Sequence, residues 1–480
     1  MGWRASLLAP AGKRKHDSLV LNSLENVPLP EELAAAVADV AKRVRTAGGR
    51  ALLVGGCVRD ALLDSAAKDA DLEVFGLAPE KLEKLVATVY PVITVGKSFG
   101  VLKIRGLELD ISLPRRERRT GPLHTDFAVD ADPAMSFHDA AARRDFTLNA
   151  ISWDPLTHEL IDPFNGVADL RAKTLRHTTE RFSEDPLRVL RAMQLSARFE
   201  FAVAPETVAL CAALTMDGIS SERVFEEWRK LLVKGKKPSL GLEFLRCCGW
   251  VKFFPELAAL IDCPQDPQWH PEGNVWIHTL HCLDAFASRR TGDEWEDLVV
   301  GLAVLCHDLG KPSTTTHEAD GHIRSLGHEA AGEAPTLTFL ARLTQHKELI
   351  ESVLPLVTCH MRPRELMLGN AGDGAVRRLA KKVGRIDRLA RVDEADRWGR
   401  PPLVPDDPGG GQWLLERAAK LAVAKNVPQP IILGRHVIAA GLTPGPKFKE
   451  ILNACFEAQL DGKFTDVEGG EKFLAELLKK

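Results

Sequence analysis

The sequence predicts an α+β N-terminal head followed by an all-α neck, body and tail, and three observations carry that reading. Short apolar or alternating runs such as ALLVGG, DLEVFGL and LKIRGLELDIS are interleaved with helix-periodic stretches up to about His177. Beyond Glu180 the apolar spacing is almost wholly helical, with LRVLRAMQLSARF the clearest amphipathic stretch. From Pro401 to Gly411 the segment PPLVPDDPGGG breaks that periodicity, and helical spacing resumes after it. At 480 residues the chain is too long for one ordinary core, so two to four domains are expected.

Taken in order, residues 1–30 mix Lys, Arg, Pro and Ser without periodicity and read as a flexible extension. Residues 31–177 form the head, opening with a helix from Glu31 to about Arg45 and a buried strand that ends in a glycine turn. A helical neck over 178–265, a second helical body over 266–400, a linker over 401–411 and a helical tail over 412–480 complete the chain.

Hydrophobic and charged fractions of 45% and 27% are those of globular proteins and exclude global disorder. No apolar run reaches the ~18 residues of a membrane span, and the N-terminus has too short an apolar stretch for a signal peptide, so a cytoplasmic enzyme is expected. The nine cysteines are dispersed, with no CxxC pair, and read as reduced, mostly buried thiols. A net charge of -3 supplies no global pull on nucleic acid. Basic clusters do occur, at Arg115, Arg116, Arg118 and Arg119, at Arg229, Lys230, Lys234, Lys236 and Lys237, and at Arg377, Arg378, Lys381 and Lys382. Most such clusters are solvated faces, and sequence does not show whether these share a surface.

Chemistry begins at LLVGGCVRDALL, where Gly55 and Gly56 stand between strand and helix and let backbone N–H groups approach a polyphosphate, with Arg59 one turn into the helix. Alone, such a turn is usually only a turn. In KDADLEVFGL, Asp69, Asp71 and Glu73 share one strand face while Leu72 and Val74 point the other way. Asp110, in LKIRGLELDIS, alternates with Leu107, Leu109 and Ile111 and adds a third carboxylate. Asp69 and Asp71 offer the oxygen ligands that Mg2+ prefers, a pair of such ions can activate a hydroxyl and stabilise a pyrophosphate leaving group, and Asp110 completes a catalytic triad of acids with them.

This set, a GG turn, an arginine-bearing helix, a DxD strand and a third acid on a later strand, resembles the polymerase-beta nucleotidyltransferase superfamily. Downstream, ARRDFTLNAIS (142–152) is similar to a motif of class II tRNA nucleotidyltransferases, the CCA-adding enzymes, and of bacterial poly(A) polymerases. The resemblance implies that Arg144, Asp145 and Asn149 lie near the sugar and phosphates of the incoming nucleotide. IDPFNGVADL (161–170) matches the next motif, which looks structural. EDPLRVLRAMQLSARFEF resembles the nucleotide-selecting helix at Glu184, Asp185, Arg188 and Arg191. There the resemblance implies that Asp185 and Arg188 pair with the base edges of CTP and ATP, both of which carry an exocyclic amine for a carboxylate to accept. In SSERVFEEWRKLL (220–232), Glu222 and Arg223 are expected to brace that helix. Gly56, Arg59, Arg144, Asp145, Asn149, Asp185, Arg188 and Arg191 are thus the expected nucleotide-binding residues.

A second constellation follows in the body. WIHTLHCLDAF and VVGLAVLCHDLGK place His278, His307 and Asp308 at or near the ends of apolar helices, where a buried charge needs a partner and metal is the natural one. With Asp396 in DEADRWGR they resemble the ligand set of the HD phosphohydrolase superfamily, in which imidazole suits a divalent transition metal. His328 in LGHE and His360 in VTCHMR are expected in its second shell. WHPEGNVWIHT and GLTPGPKFKEIL are similar to CCA-adding enzymes with a fused HD domain, which implies tRNA as partner, CTP and ATP as substrates, and hydrolysis of 2',3'-cyclic phosphates, 2'-nucleotides and phosphate monoesters. Poly(A) polymerase, a CC-only or A-only enzyme, and a nucleotide hydrolase with a silent transferase half remain open at this level.

Overall fold

A computed structural model describes residues 26–95, 101–119 and 127–479, and side chains at 94–95, 116–119 and 127–130 lie outside the description. Most of the N-terminal extension is therefore outside the described residues. The chain divides into two compact units, Met1–Glu227 with Leu240–Trp250, and Trp228–Ser239 with Val251–Lys480. The boundary expected at residue 177 is not a division between units. Helix Leu187–Phe199 buries Leu190, Met193 and Leu195 in the first unit, and Arg198 bonds Asp60 at 3.0 Å while Arg59 stacks on Phe199. Those ties make head and early neck one body.

In the first unit the sheet strands in chain order are β1 (Arg50–Val54), β2 (Ala70–Phe75), β3 (Val92–Val95), β4 (Val101–Ile104) and β5 (Leu109–Ser112). A separate hairpin of β6 (Arg115–Arg119) and β7 (Phe127–Ala131) follows, then β8 (Ser152–Trp153) and β9 (Leu160–Ile161). The seven-stranded sheet runs β3-β4-β5-β2-β1-β8-β9, with β2 and β5 parallel and the other neighbours antiparallel. Alternation decides the faces: Leu72, Val74, Leu109 and Ile111 are fully buried, so Asp71, Glu73 and Asp110 turn to the opposite side.

The second unit is almost wholly helical. Helices Val275–Ala287, Glu294–Cys306 and Ile386–Trp398 pack on one another. The middle one is buried from Asp297 to Cys306, which explains why its sequence is apolar on every side. Residues 401–411 are not the free linker expected from their composition. Gly409–Lys420 is a helix whose three glycines are buried, Gly411 N–H donates to Asp393 at 2.8 Å, and a Cβ on Gly410 would sit 2.5 Å from the Arg364 backbone nitrogen. Glycine is there for close approach rather than for flexibility.

The tail gathers its own small core from Ile432, Val437, Cys455, Phe464 and Leu474. It is fastened to helix Asp373–Val383 by Arg378, which reaches Glu457 at 2.8 Å and Asp461 at 2.6 Å, and by Arg377, which donates to the Leu460 carbonyl at 3.0 Å. The third basic cluster is thus largely spent on the tail. In the first cluster, the side chains of Arg116, Arg118 and Arg119 lie outside the described residues. All nine cysteines are free thiols, eight of them buried. Among the described residues no helix is long and apolar enough to cross a membrane.

Candidate functional site

The head site is assembled where β1 ends. Gly55 adopts φ +76°, and a Cβ there would stand 2.9 Å from Arg144 Nη1 and 3.6 Å from Asp71 Oδ2, so the glycine makes room for both charges. Gly56 begins the short helix Gly56–Leu62. Asp71 and Asp110 are direct register partners on the parallel strands β2 and β5. Asp69 lies just before β2 rather than within it.

Partial loss of water raises the Asp71 pKa, Asp110 and Asp69 add to the rise, and Arg144 and Lys103 oppose it. Lys103, on the neighbouring β4, reaches Asp110 at 2.8 Å. Sequence reasoning passed over Lys103, although its register with Asp110 puts it on the acidic face. An all-oxygen set of crowded, accessible carboxylates fits a hard divalent cation such as Mg2+.

Behind the acids runs a buried polar chain. Arg59 Nη1 donates to Asn149 Oδ1 at 2.7 Å, and Asn149 Nδ2 donates to Asp145 Oδ1 at 2.8 Å. Asp145 Oδ2 then accepts from Arg191 Nε at 2.7 Å. Burial alone would push the Asp145 carboxyl up, but Arg191, Asn149 and the Phe146 N–H hold it below its ordinary value. Arg59 is 6% exposed and already bonded to Asp60 and Asn149, so it belongs to the frame of the site rather than to an open phosphate-binding surface. The IDPFNGVADL motif packs beneath, since a Cβ on Gly166 would come 2.2 Å from the Thr147 carbonyl oxygen.

Asp185 precedes helix Leu187–Phe199 and accepts from Leu187 N at 3.1 Å and from Arg223 Nη2 at 2.7 Å. Arg188 spends two donors on the carbonyls of Arg181, at 2.7 Å, and Arg143, at 2.8 Å, which leaves others unspent. Arg223 therefore provides the brace. Glu222 instead is held by its own backbone N–H and by Ser220, just before its helix, and both lower its pKa.

The second unit draws His278, His307, Asp308, His328, His360 and Asp396 together. His278 Nε2 is 3.0 Å from Asp396 Oδ1 and 3.4 Å from His307 Nε2, and His307 Nε2 is 3.2 Å from Asp308 Oδ2. His328 Nε2 lies 3.4 Å from Asp308 Oδ1 and 3.1 Å from His360 Nε2. His328 and His360 therefore face Asp308 directly and do not stand behind other ligands as expected.

Three of these rings, His307, His328 and His360, each place Nδ1 2.7 Å from a backbone carbonyl, of Val304, Ser325 and Val357 respectively. A carbonyl only accepts, so Nδ1 carries the proton and each Nε2 presents a lone pair inward. Outer groups that fix tautomers in this way are characteristic of metal-binding histidines. His278 Nδ1 is held by Glu272 Oε1 at 2.8 Å and by the Gly399 carbonyl at 3.2 Å.

Burial, with His307 and His328 beside it, pushes His360 down to about 3. Burial opposes ionisation of Asp308 and Asp396, yet His307 and Lys311 hold the first, and His278 and Arg400 the second, well below the usual carboxylate range. Against burial, Cys282, Asp396 and Glu272 hold His278 well above its ordinary value. Buried Asp308 Oδ2 accepts no aligned hydrogen bond, although Lys311 Nζ stands 2.8 Å away. Convergent lone pairs and carboxylates fit a divalent transition metal. Sequence reasoning had quoted the segments containing Glu272, Cys282 and Lys311 without singling them out. The cavity above has a volume of about 580 Å³, with Lys311, Arg364 and Arg400 beside exposed Trp269, Leu403 and Val404.

A family profile described as the poly A polymerase head domain matches residues 51–176, and one described as a probable RNA and SrmB-binding site of polymerase A matches residues 200–261. The chain is 37% identical over 394 residues to a multifunctional CCA protein of Stenotrophomonas maltophilia strain R551-3, covering 78% of this chain and 93% of the relative. A multifunctional CCA protein of Mannheimia succiniciproducens is 39% identical over 310 residues, covering 62% of this chain and 72% of that one. Among solved structures, the Bacillus stearothermophilus CCA-adding enzyme in complex with CTP aligns over 94% of this chain and 98% of its own, with a TM-score of 0.66 and 24% identity. The Thermotoga maritima CCA-adding enzyme complexed with tRNA aligns over 94% and 96%, with a TM-score of 0.58 and 19% identity. At these identities the likeness is one of fold. The sequence matches reach further, and the chain belongs to the family of multifunctional CCA proteins.

Proposed function

We propose that this chain adds and repairs the 3'-terminal CCA of tRNA with CTP and ATP, and that its second unit is an HD-type phosphohydrolase. The observation that carries the first part is the placing of Asp185, held by Arg223, beside Arg188 in the unit that sets Asp71 abreast of Asp110. The names of the relatives support the same reading.

In the proposed reaction the tRNA 3' hydroxyl oxygen attacks the α-phosphorus of CTP, twice, and then of ATP. Each step forms one phosphodiester bond, breaks the bond to pyrophosphate and releases the hydroxyl proton to solvent. Asp69, Asp71 and Asp110 would hold magnesium, which when bound lowers the proton affinity of the attacking hydroxyl and offsets charge on the leaving group. Arg144 faces the phosphates from over Gly55. Asp185 accepts from the exocyclic amine of cytosine or adenine while Arg188 donates to the adjacent ring edge. The Arg59–Asn149–Asp145–Arg191 chain keeps these groups in register.

For the second unit, the convergent Nε2 atoms carry the reading. His278, His307, Asp308 and Asp396 would hold a divalent transition metal, with His328 and His360 on the other side of Asp308. Such an ion polarises a phosphoryl oxygen and activates water. Lys311, Arg364 and Arg400 supply positive charge for a phosphate ester, which suits 2',3'-cyclic phosphates and terminal monoesters on damaged tRNA.

The test uses purified protein, magnesium and tRNA transcripts that end before CCA, after C and after CC, each offered one nucleoside triphosphate. The expected result is C on the first two, A alone on the third, and then arrest. Repeated A addition to any RNA would make the protein a poly(A) polymerase, addition of C alone or A alone a partial enzyme, and no addition a hydrolase only.

A further inference from the structure

Cys282 lies on helix Val275–Ala287, one turn after His278, with its sulfur directed at the imidazole. Sγ is 3.3 Å from His278 Nε2, and the ligand atoms of His278, Cys282, His307 and Asp396 all lie within 4.8 Å of one another. Three of these four positions were expected in the body site. The thiol was not.

Two features of the surroundings mark this sulfur as more than packing. Gly399 leaves space for it, since a Cβ there would come 2.2 Å from Sγ and 3.0 Å from the Cys282 nitrogen. The same glycine offers its carbonyl to His278 Nδ1 at 3.2 Å, joining Glu272 in directing the ring. Around the inward edge of His278 stand His307 Nε2 at 3.4 Å and Asp396 Oδ1 at 3.0 Å.

We propose that Cys282 is a direct metal ligand, adding one thiolate to the two imidazoles and two carboxylates of His278, His307, Asp308 and Asp396. On binding, the thiol gives its proton to solvent and the sulfur forms the bond to the ion. One soft donor among nitrogen and oxygen shifts preference toward borderline and soft cations such as Zn2+, Co2+ and Cd2+, and away from Mg2+ and Mn2+. The inference rests on reading the second unit as a metal centre.

Full-length protein stripped with chelator and titrated with Co2+ reports the metal and the sulfur separately. Visible ligand-field bands show occupancy, and a near-ultraviolet sulfur-to-cobalt charge-transfer band shows the thiolate. The expected result is both sets in the wild type, with only the charge-transfer band lost in Cys282→Ser. Cd2+ affinity should fall by about tenfold or more in that variant, since loss of even an outer partner costs that much, while Mn2+ affinity changes little. Ligand-field bands without charge transfer, or a charge-transfer band that survives Cys282→Ser, would overturn the thiol ligand and leave the metal centre standing. No cobalt uptake by well-folded wild type, judged by circular dichroism, would overturn the centre and the thiol together.

Discussion

Arg223 Nη2 stands 2.7 Å from Asp185 Oδ2, so the carboxylate proposed for base selection is held by an arginine from a different helix. The pair is half exposed, and such pairs contribute about 0–1 kcal/mol to stability. Its value lies in aiming the carboxylate.

Arg223→Ala should therefore leave the melting temperature nearly unchanged while CTP and ATP lose their advantage over UTP and GTP. Direct loss of Asp185 or Arg188 should blur the choice further than it weakens tRNA binding. Competition assays with paired nucleotides measure this, and unchanged discrimination in all three variants would remove Asp185 and Arg188 from base selection.

The buried Asp145–Arg191 pair behaves differently. Arg191→Met strands a carboxylate that is only 7% exposed, and a loss of about 2–4 kcal/mol is expected, toward the low end because Arg191 is partly in water. The depressed Asp145 pKa means that its contribution is full above the ordinary carboxylate range and is lost as pH falls through the lower folded value. Denaturant titration at neutral pH checks the magnitude. A difference under about 0.5 kcal/mol, the size of an ordinary surface substitution, would mean that this pair does not tie helix Leu187–Phe199 to the head.

The two sites lie in different compact units and should fail separately. Asp69→Ala or Asp71→Asn should abolish nucleotide addition and spare phosphohydrolase activity. Asp308→Ala should do the reverse. Both activities are measured on one preparation of each variant, and retained addition in the head variants would refute the magnesium assignment.

Asp393 gives a pH signature to the second unit. Burial pushes its carboxyl up to about 6, with the Gly411 N–H opposing and the Asp396 charge adding. The unfolded chain ionises near pH ~4, so this group favours the folded state most in acid and loses stability for it as pH rises from about 4 to about 6. Asp393→Asn can still accept the Gly411 hydrogen bond and should raise stability near pH ~8 by up to about 3 kcal/mol, a gain that fades toward pH ~4. Unfolding curves across that range, in chelator, would contradict this if the variant were weakened equally at every pH.

Much of the site was legible in the linear sequence because its chemistry sits at fixed local spacing. Strand alternation set Asp71 and Asp110 opposite the buried Leu72 and Ile111, and the GG turn, RRDFTLNA and EDPLRVLR each carry their residue types within one element. The apolar helix ending in His307 and Asp308 announced a buried charge in need of a partner. Side-chain commitments were not legible, because they depend on what arrives from elsewhere in the chain. Arg59 is absorbed by Asn149, 90 positions away; Arg377 and Arg378 are spent on the tail; and the glycines of 409–411 pack against Arg364 and Asp393 instead of forming a linker. Nor could spacing show that His328 and His360 face Asp308, or that Gly399 clears a place for Cys282 beside His278. The sequence by itself determined which residue types stand together at local spacing, since strand and helix period place them on one face or at one end of an element. Only the tertiary structure decided which groups remain available for that chemistry, since buried donors and acceptors bond whatever the fold brings within reach.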